Sequence, residues 1–273
     1  MATARRNLSL WLGSGLVILL LLTALAGPWL APHDPLRINL SARLAPPSWD
    51  YPLGTDPLGR CVFSRLLHGC RASLAVGLLV SAGVMLLGLS LGLAAGLSGK
   101  QGDFWLMRLV DIVLAFPSLV LTLAVIGLLG PSLPAAALAL CLSWWPVYAR
   151  LVRGLVLSAK EREFVLAARL VGTRGPALVR RHILPSVMPP VMVLASLETG
   201  TMVLVLAGLS FLGLGAQPPL PEWGAMLNEA RSYIYTAPHL LVAPGVAIFL
   251  TVLGFNLLGE GLRDALRIKE TVR

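Results

Sequence analysis

The feature that most constrains this chain is the recurrence of apolar runs about twenty residues long, each sufficient to cross a hydrocarbon layer of about 30 Å as a helix. They fall at about 10–30, 74–97, 108–130, 135–157, 187–215 and 240–258. Inside lipid every backbone N–H and C=O must be satisfied within the protein, which leaves helices or a closed barrel. No period-2 alternation of the kind a barrel needs is present, so the expectation is an all-α integral membrane protein. Composition agrees: 56% of the 273 residues are hydrophobic and 13% charged, with mean hydropathy +0.80, against roughly 25% charged in soluble domains.

The formal net charge of +9 raises the question of nucleic acid, but the cations flank the apolar runs, where membrane topology accounts for them. No nucleic-acid partner is expected. With the N-terminus inside, sixteen Lys and Arg fall on the inner side and six on the outer; that bias fixes six spans with both termini inside. Arg5 and Arg6 precede a first run too long for a signal-peptide core, so it is read as a retained span ended by Pro28, Pro32 and Pro35. The expected organisation is an inner N-terminus and first span (1–31), an outer loop with an interfacial helix (32–72), and a core of five spans (73–273) with an inner loop at 158–185. No internal repeat is apparent.

Cys61, Cys70 and Cys141 form no CxxC pattern. Cys61 and Cys70, nine residues apart on an expected helix, would be about 13 Å apart, beyond the roughly 7 Å limit for a disulfide; free thiols are expected. His33, His68, His182 and His239 are scattered, so neither a metal site nor a catalytic set is expected. No GxxxxGK[ST] phosphate loop is present, so any ATP hydrolysis belongs to another chain.

The polar interval around Glu163 to Pro185 is the place to meet something in water. Phe164, Ala167, Ala168 and Val171, at i, i+3, i+4 and i+7, lie on one stripe of a short helix. Gly172 is expected to stop it in a left-handed conformation, Thr173 to cap a second helix, and Pro176 to sit in that helix's first turn. A solvated positive loop would satisfy the topology alone. The string Ala167-Ala168, then Gly172, then Ile183-Leu184-Pro185, however, resembles the coupling loop (EAA loop) of bacterial ABC import permeases, with Leu166 where that family often carries its glutamate.

Two more strings are similar to the same family. Leu53-Gly54-Thr55-Asp56-Pro57-Leu58-Gly59-Arg60 with Phe63-Ser64-Arg65-Leu66 looks like the signature after the first span of the C-type permeases of nickel, dipeptide and oligopeptide importers, with Cys61 where Asp is common. Read locally, it is a turn leading into an interfacial helix. Asp111 to Phe116-Pro117 looks like the family's proline-interrupted third span; Arg108 and Asp111 read as a local ion pair. Phrases such as Glu222-Trp223-Gly224 and Asn228-Glu229-Ala230-Arg231 lean toward the nickel member, while Phe255-Asn256-Leu257-Leu258-Gly259 is shared with dipeptide permeases.

The resemblance implies a type I ABC importer permease (MetI-like) fold of six transmembrane helices in the bacterial inner membrane. It implies pairing with a B-type permease, two ATPase subunits that bind ATP and Mg, and a periplasmic or lipid-anchored substrate-binding protein. No cofactor is expected in this chain. The cargo would be nickel, as a chelate, or short peptides, with selectivity mostly in the binding protein. Glu163, Phe164, Ala167, Ala168, Gly172 and Arg174 would meet the ATPase; Asp56, Arg60, Glu222, Trp223 and Arg231 would meet the binding protein. Glu198, the one carboxylate at mid-membrane depth, either faces the path or is a hydrogen-bonded packing residue. Trp144, Trp145 and Met202 complete the candidate path. A secondary transporter or channel is the rival from another class, expected to show charged or broken helices in paired positions.

Overall fold

The structure is a computed structural model that describes residues 2–266; the basic tail with Arg267, Lys269 and Arg273 lies outside them. Nearly everything described is helical, and extended pairing is confined to one isolated bridge between Thr55 and Cys61. Five helices are long and apolar enough to cross a membrane: α1 (Ala2–Leu30), α2 (Val62–Leu97), α5 (Leu133–Lys160), α8 (Leu184–Phe211) and α10 (His239–Ala265). Between α2 and α5, α3 (Lys100–Leu114) and α4 (Ser118–Leu129) form a pair bent by 83°, a sixth span if counted together. The bend falls at Pro117, which lacks the N–H that a continuing helix would need. Three short α-helices remain among the described residues: α6 (Glu163–Leu170), α7 (Gly175–Leu178), which a π-helical turn over Val179–Ile183 joins to α8, and α9 (Trp223–Ala230).

Helix α2 is the spine, 36 residues long, and it packs against α1, α5 and α8. Its small residues make that packing possible. A Cβ added at Gly92 would stand 2.6 Å from the Ala149 carbonyl oxygen, and one at Gly96 would stand 2.7 Å from the Val156 side chain, both on α5. Between helices in lipid such close approach supplies dispersion contacts in place of the hydrophobic effect. One core then joins α2, α4, α5 and α8 through Val84, Ile126, Leu140, Val152, Val187 and Leu206, and extends down to Val165, Ala168 and Leu178 of the short helices. A second joins α1, α2, α8, α9 and α10 around Leu20, Leu74, Trp223 and Phe255. The outer faces are apolar and exposed, as at Trp11 (74%), Leu25 (67%) and Phe249 (61%), the arrangement a lipid-facing surface requires.

Four sequence expectations are corrected. The helix begun at Val62 runs unbroken to Leu97, so no separate interfacial helix precedes the second span; the turn before it feeds α2 directly. Pro28 lies inside α1, which ends at Leu30. Arg108 does not pair with Asp111: its guanidinium lies 5.1 Å from the Phe104 ring centre, and Asp111 accepts from Arg150 at 2.8 Å. The cap of α7 is Arg174, not Thr173.

Candidate functional site

At the end of the bundle where α5 meets α8, α6 and α7 form a knob. Helix α6 closes in a Schellman arrangement: the Thr173 N–H donates to the Ala168 carbonyl at 2.9 Å and the Gly172 N–H to Arg169 at 3.0 Å. Gly172 holds φ +89° there, and an added Cβ would meet nothing within 4 Å; the glycine is needed for backbone conformation, not for space. Val165 and Ala168, three apart, are buried and anchor α6 to the transmembrane core. The other side is open: Phe164 (45%), Leu166 (46%), Leu170 (89%) and Val171 (82%) are exposed, as are Glu163, Ala167 and Arg174. Of the expected stripe, only Ala168 is buried; Phe164, Ala167 and Val171 face outward.

Cations on α5 tie this end together. Arg153 grips Asp103 of α3 with two hydrogen bonds, 2.5 and 2.6 Å, and the Lys160 ammonium donates to the Gly96 carbonyl at the end of α2 at 2.7 Å. The knob therefore stands on a base in which α2, α3 and α5 are cross-braced.

The opposite end carries a buried charge network. Asp56 Oδ1 accepts from the N–H groups of Leu58 (2.8 Å) and Arg60 (2.9 Å), closing the turn read from Asp56-Pro57. Its Oδ2 meets Arg60 Nε and Arg65 at 2.5 Å each. Both arginines then reach Glu229 of α9, at 2.5 Å from Arg60 and 2.7 Å from Arg65. Two cations and two carboxylates balance, the condition under which charges are tolerated away from water. Beside them Glu222 caps α9, accepting from Ala225 N–H at 3.0 Å and from the Ser73 hydroxyl at 2.9 Å, while the Trp223 indole donates to the Leu66 carbonyl at 3.1 Å.

Of the five residues expected at a partner surface here, Asp56, Arg60, Glu222 and Trp223 are 5, 4, 0 and 1% exposed, and Arg231 alone is exposed. The buried four build the platform rather than present their side chains on it. Arg65 and Glu229, which complete the network, lie in the same sequence strings but had no partner to identify them; their contact crosses 164 residues.

Among the mid-span candidates, Met202 is fully buried in the larger core and Trp145 packs with Val110 and Ala149 against α3. Neither presents a side chain to an open path in this conformation. Glu198, near the middle of α8, and Trp144, on α5, are partly exposed. No group of three or more metal-ligating side chains occurs among the described residues.

Residues 88–269 match the family described as "Binding-protein-dependent transport system inner membrane component", and residues 3–47 the "N-terminal TM domain of oligopeptide transport permease C". The chain is 44% identical over 254 residues to the dipeptide transport system permease protein DppC of Alkalihalophilus pseudofirmus, covering 92% of this chain and 84% of that one. It is 45% identical over 251 residues to the nickel transport system permease protein NikC of Escherichia coli K12 (92% and 91% covered). Over 255 residues it is 45% identical to the glutathione transport system permease protein GsiD of Pectobacterium atrosepticum (93% and 85%). Among solved structures, the inward-facing MetNI methionine ABC transporter shares the fold, with TM-score 0.59 and 20% identity over 75% of this chain and 96% of that one. The chain belongs to the binding-protein-dependent transport system inner membrane components, as a multi-pass C-type permease of the ABC importers.

Proposed function

We propose that this chain is one of two membrane permeases of an ATP-driven importer, moving short peptides or chelated nickel inward across a bacterial inner membrane with both termini in the cytoplasm. The observation that carries the reading is the two-sidedness of α6. Its buried face, Val165 and Ala168, is continuous with the transmembrane core, and its open face offers Phe164, Leu166, Leu170 and Val171. A helix so mounted transmits force: a partner that seats the open apolar face and moves it must move α5 and α8 with it. ATP and Mg are bound and ATP hydrolysed by two separate ATPase subunits, which seat α6 through that face and through Glu163, Gly172 and Arg174. A B-type permease completes the path. A soluble binding protein delivers cargo to the platform of α9 and the Asp56 turn, with Arg231 at its exposed edge.

Both cargo classes are carried forward from named relatives, dipeptide and nickel permeases at 44 and 45% identity. The deciding experiment is uptake of labelled dialanine against labelled nickel, as free ion and as chelate. It uses cells lacking their own systems for both and expressing this chain with its partner subunits. Uptake of either, dependent on ATP and on the binding protein, is the expected result. Uphill transport by this chain purified alone would sink the reading in favour of a secondary transporter.

A further inference from the structure

Helix α3 carries Lys100, Asp103, Arg108 and Asp111, whereas α4, the other half of the bent pair, carries no charged residue. The 83° bend between them means that the two cannot both stand along the membrane normal. Uncharged α4 suits the hydrocarbon, and charged α3 suits its boundary. That boundary is the one at the knob end, because Arg153 of α5 holds Asp103 and Lys160 of the same helix closes on the end of α2. Around α3 the residues sort into three faces. Val110 is buried against Trp145 and Ala149 of α5. Trp105, Leu109 and Ile112, at i, i+4 and i+7, are 69, 46 and 54% exposed and form an apolar stripe turned away from the bundle. Lys100, Phe104 and Arg108, at i, i+4 and i+8, form a second exposed stripe beside it.

A cavity of about 350 Å³ lies between that second stripe and α5, lined by Lys100, Asp103, Arg108, Asp111 and Arg153. Both of its carboxylates are already paired: Asp103 accepts two hydrogen bonds from Arg153, and Asp111 accepts one from Arg150 at 2.8 Å. Its other two cations are not. Among the described residues neither Lys100 nor Arg108 has an ion-pair or hydrogen-bond partner. The Arg108 guanidinium lies 5.1 Å from the Phe104 ring centre, folded back one turn toward Lys100. At about 30 Å³ per water, the cavity has room for a phosphodiester headgroup of about ten heavy atoms. Spare positive charge is complementary to phosphate oxygens, and with both carboxylates paired nothing is left over for an ammonium. The cavity thus favours a headgroup that is anionic overall over a zwitterionic one. The positive-inside bias alone asks for neither a cavity nor an adjoining apolar stripe.

We propose that this cavity binds the headgroup of an anionic phospholipid from the leaflet at the knob end. Lys100 and Arg108 hold its phosphodiester, and its acyl chains lie along Trp105, Leu109 and Ile112. The occupant is a lipid, not a free anion, because the apolar stripe adjoins the charged one on a single helix. Seated there, it braces α3 against α5 beside the base of the knob. The inference is independent of the cargo.

The test uses the full chain with its partner subunits in phosphatidylcholine nanodiscs. These are doped with phosphatidylglycerol carrying a diazirine on one acyl chain or, in a parallel arm, with phosphatidylcholine carrying the same diazirine. After illumination, label is read by mass spectrometry of peptides covering residues 100–116. The phosphatidylglycerol probe is expected to label them at least about fivefold more than the phosphatidylcholine probe, the effect of one cation near a charged surface. Excess unlabelled phosphatidylglycerol should remove that label, and inorganic phosphate should not. The double variant Lys100→Gln with Arg108→Gln should bring labelling down to the phosphatidylcholine level, while Lys100→Arg with Arg108→Lys should keep at least about half of it. Equal labelling by the two probes in wild type overturns the site, as does a double glutamine variant that labels like wild type. Loss of label to inorganic phosphate overturns the lipid in favour of a free anion. Label present on the chain alone but absent from the complex shows that a partner subunit covers the face, and overturns it as well. The wild-type arms decide the matter even if the glutamine variant fails to assemble.

Discussion

Gly172 shows how one residue can shape a surface through its backbone alone, with no side chain packed against a neighbour. Its φ of +89° lets α6 end in two well-formed hydrogen bonds and sends the chain back toward α7. A residue with a Cβ pays roughly 1–2 kcal/mol in that left-handed region, and a β-branched one is the worst fit. Gly172→Val is therefore expected to leave the protein inserted and assembled but to shift the end of α6. Cargo-stimulated ATP hydrolysis by the reconstituted complex should fall by about tenfold, the effect of roughly 1.4 kcal/mol on a coupling equilibrium. Turnover equal to wild type would show that the knob's shape is immaterial.

Between elements, the joint that matters most is α2 to α9, clamped by Asp56, Arg60, Arg65 and Glu229. Arg65 is 1% exposed, so removing one carboxylate strands a buried cation. Glu229→Ala is expected to destabilise the folded chain by about 3–5 kcal/mol, read as a lower thermal midpoint in detergent; an unchanged midpoint would mean water already compensates the charges. The legible parts of this architecture were the local ones. Apolar run length located the spans, Asp56-Pro57 located a turn, Gly172 a helix end, and Pro117 a break, because each depends on a few consecutive residues. The illegible parts were distant. Nothing near Arg65 points to Glu229, Asp111 has a nearer candidate in Arg108 than its actual partner Arg150, and the polar residues 62–73 conceal that α2 is one helix.

For the molecule as a whole, the testable quantity is which end faces the cytoplasm. Trp49, 102% exposed in the loop before α2, and Val171, 82% exposed on the knob, mark the two ends, and Cys61 and Cys70 are buried thiols. In Val171→Cys a membrane-impermeant maleimide should react only in inverted vesicles, and in Trp49→Cys only in right-side-out ones. The reverse pattern would turn the protein over and remove the knob from ATP. The 36 residues of α2 amount to a rod of about 54 Å, far longer than the roughly 30 Å of hydrocarbon it crosses. Braced through α5 beside the knob and clamped to α9 at its far end, such a rod has leverage: a tilt of about 5° sweeps its tip by about 5 Å. Small displacements at the knob would thus arrive magnified at the end that carries α9, with no hinge needed along the way.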